Sequence, residues 1–444
     1  MNIKLSDHFT YARLLRFTLP SIGMMLFTSV YGVVDGFFVS NTAGATAFAA
    51  INLIMPFLMI FGAVGFMVGA GGSALVAMTL GQGERERADR IFSLLIVLLI
   101  GVGAVFTVLG FAFVRPVALL LGATEEMLPH CTAYGRIIML TLVPFMLQNV
   151  FQSFLVTAER PHFGLVITVA AGVTNMALDA LFLGLFRWGV VGAAAATGIS
   201  QCIGGLIPLA YFLSGRNRSL LRLIRPAWDG KAVLKACTNG ASEFMTNISF
   251  SFVNMLYNFR LMRMTGEPGV AAFGVIMYAG FIFVSVFLGY AFGSAPLVGY
   301  HYGAKNTDEL KNLLRRSMIL VGISALVLTA AAEALAGPLA GVFVGYDEAL
   351  RALTRRSFML YSFSLLPAGF SIYGSSFFTA LNNGRVSALI SFGRTLVFQV
   401  ISVLVLPALL GVDGIWLANV LAEGLALLLT LGCLAACRRY YRYY

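Results

Sequence analysis

An acid inside an apolar stretch demands a physical reason, and this chain keeps several. Asp35 lies in Thr28-Ser-Val-Tyr-Gly-Val-Val-Asp-Gly-Phe-Phe-Val without a basic neighbour in sequence. A charge at mid-bilayer costs roughly 2.5 to 3.5 kcal/mol even on the mildest scale. At helical spacing Ser21, Met24, Thr28, Tyr31 and Asp35 project within an arc of about 80 degrees. Glu243, Asn247, Ser251, Asn254 and Asn258 form a second polar stripe. Shifted by 223 positions, Thr28 meets Ser251, Tyr31 meets Asn254 and Asp35 meets Asn258. Within a membrane such stripes either line a watery cavity or pack on another polar helix. Their length favours a cavity between two halves, walled by Thr28, Tyr31, Glu243, Asn247, Ser251, Asn254 and Asn258.

Asn175 and Asp179 share a helix face at i,i+4 spacing, and Thr197 follows in the next apolar run. With Asp35 these would make a small oxygen-rich pocket able to hold a proton or a sodium ion. The competing reading is that they satisfy neighbouring helix backbones. Asn175 and Asp179 align with Val397 and Ile401 in the second half, so the expected ion site belongs to the first half alone. Arg394 and Glu423 could pair as a structural tie. Glu243 falls near the expected start of the seventh helix, where helix electrostatics or cation attraction would explain it.

Other chemistry is not indicated. The spans carry no HExxH, GxSxG or paired catalytic motif, and the chain has no GxxxxGK[ST] loop. Neither an intramembrane enzyme nor an ATP-driven pump is expected. The five cysteines are scattered without metal-ligand spacing, and the four histidines sit near expected helix ends. No cofactor is expected, and no metal beyond possible sodium at Asp35, Asn175 and Asp179.

The elements that position these residues follow from composition and repeats. With 59% hydrophobic and 11% charged residues and a mean hydropathy of +0.88, the chain cannot bury its apolar surface in one water-soluble core. Apolar runs long enough to cross a bilayer, about 20 residues, fall at 13–39, 45–80, 91–114, 131–158, 162–185 and 189–213. A second set falls at 236–262, 269–300, 317–336, 357–381, 386–410 and 415–436. The expected fold is an all-α polytopic membrane protein, twelve transmembrane helices in two pseudo-symmetric six-helix bundles. A first lobe would span 1–213, a cytoplasmic linker 214–235 and a second lobe 236–444.

The halves look duplicated. Gly65-xxx-Gly69 matches Gly289-xxx-Gly293, Gly81 matches Gly303, Leu121-Gly-Ala-Thr-Glu matches Val344-Gly-Tyr-Asp-Glu, and Pro144 matches Pro367, at offsets of 222 to 224 in 444 residues. An internal duplication in a hydrophobic chain points to a transporter, and six spans per half make the repeats parallel. Lysine and arginine crowd the loops on one side, notably 85–90, 216–235 and 305–316, which places both termini in the cytoplasm. The net charge of +11 then reflects topology and anionic lipid contact rather than nucleic-acid binding.

Val34-Asp35-Gly-Phe-Phe-Val, Gly81-Gln-Gly, Asn175-xxx-Asp179, Gly192-Ala-Ala-Ala-Ala-Thr197 and Ile415-Trp416 to Glu423 together resemble the multidrug and toxic compound extrusion (MATE) transporters across the whole chain. The resemblance implies two bundles around a V-shaped cavity and export of cationic amphiphiles against inward protons or sodium ions. It implies that Asp35, Asn175, Asp179 and Thr197 form the cation site of the first lobe, and that Glu243 is the helix 7 acid of one branch. The implied setting is a bacterial plasma membrane, with a small-molecule substrate, the bilayer as surroundings, no obligate protein partner and a monomeric state. A flippase of lipid-linked sugars is the alternative; it would favour a basic cavity, where these stripes are acidic and amide-rich.

Overall fold

The computed structural model describes residues 3–42, 44–215, 217–345 and 347–443. Arg216 of the expected linker and Tyr346 of the repeated Val344-Gly-Tyr-Asp-Glu lie outside them. The first lobe contains α1 (Tyr11–Thr42), α2 (Ala45–Gly81), α3 (Arg85–Leu120), α4 (Met127–Leu140), α5 (Leu142–Thr157), α6 (Pro161–Asp179) and α7 (Gly189–Leu213). The second contains α8 (Gly230–Thr265), α9 (Glu267–Gly303), α10 (Thr307–Val344), α11 (Glu348–Ser362), α12 (Leu365–Ala380), α13 (Gly384–Phe392), α14 (Phe398–Leu410) and α15 (Val412–Tyr441).

These are the twelve spans once broken ones are joined. Among the described residues nine helices are long and apolar enough to cross a membrane, and α4 with α5 makes a tenth, bent by 56°. The remaining two, α8 and the pair α11 with α12, are too polar for a hydropathy criterion: α8 carries the amide stripe and α11 carries Arg351, Arg355 and Arg356. The breaks have one cause. Pro144 and Pro367 are each the third residue of the second piece, and a proline ring excludes the carbonyl four residues back. Those carbonyls belong to Leu140, the last residue of α4, and Phe363, the residue that follows α11. Two further spans contain a π turn, Ala180–Leu185 after α6 and Gly393–Val397 between α13 and α14.

Helix α8 begins earlier than hydropathy indicates, because Asp229 caps it by accepting from Ala232 N at 3.0 Å. Residues 230–235 of the expected linker are therefore helix. Preceding residues lie on α3, where Asp89 Oδ1 accepts from Arg222 N and Ser93 Oγ accepts from Ile224 N, both at 2.9 Å.

Between the lobes, α2 packs along α8 and α9, and α1 packs along α9. Two close approaches obey the duplication. A Cβ on Gly81 would overlap the carbonyl of Tyr300, and one on Gly303 would overlap the carbonyl of Met78; adding 222 exchanges the two contacts. Gly299 meets its own counterpart, Ala77, at 3.2 Å from the position its Cβ would take. A contact that maps onto itself is the mark of a two-fold relation, here passing between α2 and α9. These approaches lie toward one end of the bundle, the end that bears both termini.

Candidate functional site

Helix α1 reaches the first-lobe interior across α6. A Cβ on Gly172 would collide with the rings of Phe27 and Tyr31, so the glycine lets α1 settle close enough to α6 for their polar residues to meet. One turn further along α6, Asn175 is 2% and Asp179 0% exposed. Asp35, half-buried on α1, lies close enough to Asp179 for the two carboxyls to interact electrostatically. The helix widens into its π turn immediately after Asp179, the kind of distortion that recurs at functional sites.

The oxygens of this cluster lack donors. Asp35 Oδ1, Asn175 Oδ1 and both carboxylate oxygens of Asp179 are buried without a hydrogen-bond partner among the described residues. Buried acceptors are ordinarily satisfied. Two adjacent carboxylates repel one another, and a proton or a cation between them relieves both problems at once. No arginine or lysine pairs with either aspartate among the described residues. Thr197, half-buried on the adjacent α7, accepts from Ser200 Oγ through its carbonyl at 2.8 Å. No hydrogen bond joins its hydroxyl to the aspartates.

Three further residues surround the pair. Tyr134, 2% exposed on α4, lies within electrostatic reach of both carboxyls. Tyr31 lies near Gln148 of α5. Tyr278 approaches from α9 of the other lobe, its hydroxyl 3.4 Å from where a Cβ of Gly36 would stand and within reach of the Asp35 charge. Gln148 was discoverable as an amide in an apolar span. Tyr134 and Tyr278 carry no such signal, since tyrosine is common in membrane helices.

The second lobe holds a chamber of about 180 Å³. Phe250, Phe273, Phe281 and Tyr257 form aromatic wall, while Asn254, Gln399 and Asn419 contribute amides. Arg394 and Glu423 also line it, with Arg394 Nε donating to Glu423 Oε1 and Oε2 at 2.9 and 2.8 Å. Arg394 sits in the π turn between α13 and α14.

The two stripes do not face each other as a pair. Tyr31 and Asp35 turn into the first lobe onto α6, the hydroxyl of Thr28 is buried without a partner, and Ser21 meets Gly293 of α9. On α8, Asn247 and Ser251 border Pro56, Met59 and Ile60 of α2, Asn254 lines the second-lobe chamber, and Asn258 is exposed. Glu243 lies 13 residues into α8, about 20 Å along its axis. That excludes a role at the helix terminus and brings it within electrostatic reach of Arg394. The correction has a simple cause: α8 is gripped on one side by α2 and on another by α13, so one stripe is divided between neighbours. Val397 and Ile401, the counterparts of Asn175 and Asp179, are 36% and 48% exposed on the outside of the second lobe.

Comparison with known proteins identifies the fold and the family. The sequence model of the MatE family matches residues 20–181 and again 244–405. Multidrug export protein MepA of Staphylococcus aureus is 23% identical over 421 residues, covering 94% of this chain and 92% of that protein. Its Staphylococcus haemolyticus counterpart is 23% identical over 416 residues, covering 93% and 90%. Among solved structures, MATE in complex with MaL6 superposes with a TM-score of 0.93 at 21% identity over 98% of both chains. An outward-facing multidrug resistance MATE transporter of the MOP superfamily gives 0.91 at 22% identity over 97% and 96%. A MOP superfamily transporter from Pyrococcus furiosus gives 0.90 at 22% over 98% and 97%. A duplicated helical fold whose halves are each matched by the same family model thus places this chain in the MatE family of membrane transporters.

Proposed function

We propose that this protein is a secondary antiporter that exports amphiphilic, cationic organic compounds in exchange for inward protons or sodium ions by alternating access. The donor-free oxygen cluster of Asp35, Asn175 and Asp179 carries the reading. Loading an ion there removes the repulsion between two carboxylates; releasing it restores the repulsion. The ion thereby changes the free energy of the α1–α6 contact, which is the differential interaction a conformational switch requires. An inward-moving proton gains about 2.3 kcal/mol per 100 mV and about 1.4 kcal/mol per pH unit. Exchange of one proton for one monovalent cation leaves only the pH contribution.

The second-lobe chamber suits the exported compound. Its aromatic wall offers cation–π surface, and Arg394, its one basic residue among the described residues, is paired with Glu423. A wall of aromatic rings with its arginine already neutralised favours an organic cation over the anionic headgroup of a lipid-linked sugar. The lobes meet at the terminus-bearing end, which the lysine and arginine distribution assigns to the cytoplasm of a bacterium. The described state is thus closed toward the inside, in a multi-pass plasma-membrane protein with both termini inside. Thr197, on the α7 helix packed against α6, is a candidate oxygen donor once the lobes move.

Efflux of a fluorescent organic cation from reconstituted vesicles, with pH and sodium gradients imposed separately, tests the reading. Asp35→Asn is expected to insert normally and lose gradient-driven efflux. Wild-type efflux from that variant rejects the assigned role, and transport of an anionic lipid instead supports the flippase.

A further inference from the structure

The residues ahead of α1 are not a tail. Residues 3–10 lack helix, yet Leu5 and Phe9 are 0% exposed. Leu5 N donates to Glu159 Oε1 at 2.7 Å, in the loop between α5 and α6 of the segment's own lobe. Three residues on, the contacts cross to the other lobe. Phe9 N donates to Glu309 Oε1 at 2.9 Å, and His8 Nδ1 lies 2.6 Å from Glu309 Oε2. Asn312 Nδ2 donates to the Phe9 carbonyl at 2.9 Å and to Glu309 Oε1 at 2.8 Å. The Phe9 ring stands edge-on to His301 of α9, which is 2% exposed, and Arg316 of α10 lies over the Tyr11 ring at 4.5 Å.

The other lobe has a matching strap. Residues ahead of α8 dock on α3 through Asp89, which accepts a backbone N–H from Arg222. Residues ahead of α1 dock on α10 through Glu309, which accepts a backbone N–H from Phe9. Helices α3 and α10 are counterparts in the two halves, and each presents a buried carboxylate near its start, Asp89 at 7% and Glu309 at 5% exposure. The straps differ in one respect: the first joins α7 to α8, whereas the second leads into α1 and is tied to its own lobe through Glu159.

From this geometry we infer that residues 3–10 are a releasable latch, with Glu309 and Asn312 as its receptor, holding the two lobes together at the terminus-bearing end. This rests on the alternating-access reading for its role in transport. The segment travels with the first lobe through α1 and Glu159, so separation of the lobes at that end must strip it from α10. Glu309 then loses a backbone N–H and the His8 contact, and its carboxylate must find water instead. Charge-assisted bonds to a buried group are the costly kind to break. The latch therefore biases the protein toward states closed at that end, and its release precedes or accompanies opening to the inside. His8, Glu309 and Asn312 are positioning residues, since none touches the ion cluster.

Spin labels at Arg87 and Lys311, exposed on α3 and α10 at that end, would report the separation of the lobes in the full-length protein in lipid nanodiscs. Glu309→Ala is expected to raise the population with long label distances about tenfold or more relative to the parent. Asn312→Ala, which spares the carboxylate, should raise it less, and this second variant keeps the test alive if the first folds poorly. Distance distributions unchanged in both variants overturn the latch. A complementary arm replaces Cys131, Cys202, Cys237, Cys433 and Cys437, then introduces His8→Cys with Asn312→Cys. Cross-linking that pair with a reducible reagent should stop efflux of the fluorescent cation, and reductant should restore it. Undiminished efflux from cross-linked protein overturns the proposal. The distance measurement needs no transport, so a failure of ion-driven efflux in the parent protein refutes the antiport reading without deciding the latch.

Discussion

The Arg394–Glu423 contact offers a quantitative test of how the second lobe tolerates charge beside an apolar chamber. The side chains are 15% and 6% exposed, and the shortest N–O separation is 2.8 Å. At an effective dielectric of about 20, unit charges at that distance attract by about 6 kcal/mol. Desolvation of both ions offsets much of this, so the pair as a whole adds little over a well-packed apolar substitute. Removing one partner is different, because the other remains buried and uncompensated. Arg394→Met is therefore expected to cost about 3 to 5 kcal/mol of stability. Arg394→Met combined with Glu423→Leu should return to within about 1 kcal/mol of the parent, since no charge is then stranded. Equilibrium unfolding of the four proteins in one detergent or bicelle system completes the double-mutant cycle. A single-variant loss under about 1 kcal/mol, or a double variant as unstable as the sum of the two singles, refutes the argument. Either outcome means that water reaches Glu423 freely through the chamber.

Other consequences follow at separate places. Gly81→Leu should jam the α2–α9 approach against the Tyr300 carbonyl and reduce efflux, with Gly303→Leu doing the same at the related contact; transport rates for the two should fall alike, and a large difference between them argues against the two-fold relation. Tyr278→Phe removes the hydroxyl that approaches Gly36 from the other lobe and should alter the pH dependence of efflux while leaving protein yield unchanged; an unchanged pH profile excludes a role for that hydroxyl. Burial holds the Glu159 carboxyl above its ordinary 4.5, partly opposed by the Leu5 N–H. A raised carboxyl contributes stability that is present at low pH and fades as pH climbs through the raised value. The stability of the parent relative to Glu159→Gln should thus decline as pH rises from about 4.5. Thermal unfolding across that range measures it, and a pH-independent difference contradicts the assignment.

How much of this was legible beforehand depends on the kind of physics involved. Hydropathy is local, so the apolar runs from 45–80 and 189–213 emerge as α2 and α7 with nearly the same limits. The proline pair Pro144 and Pro367 was visible as part of the repeat, but the helix breaks beside them at Thr141 and at Phe363–Ser364 depend on which carbonyl each ring displaces. Intramembrane acids are rare enough on energetic grounds that Asp35 and Asp179 stood out by type alone. Their meeting was not a property of either segment; it needs Gly172 to admit the Tyr31 ring and α1 to lie on α6.

Sequence by itself determined the solvent, the number of spans, the duplication and the family, because burial cost and periodicity are additive along a chain. Tertiary structure alone decided azimuth and partnership: that Asn247 faces α2 while Asn254 faces a chamber, that Glu243 lies deep rather than at a helix start, and that a short lead-in segment clasps the opposite lobe through Glu309. A 100-degree periodicity says which residues share a face. Which neighbour that face meets is set by packing among all the helices at once.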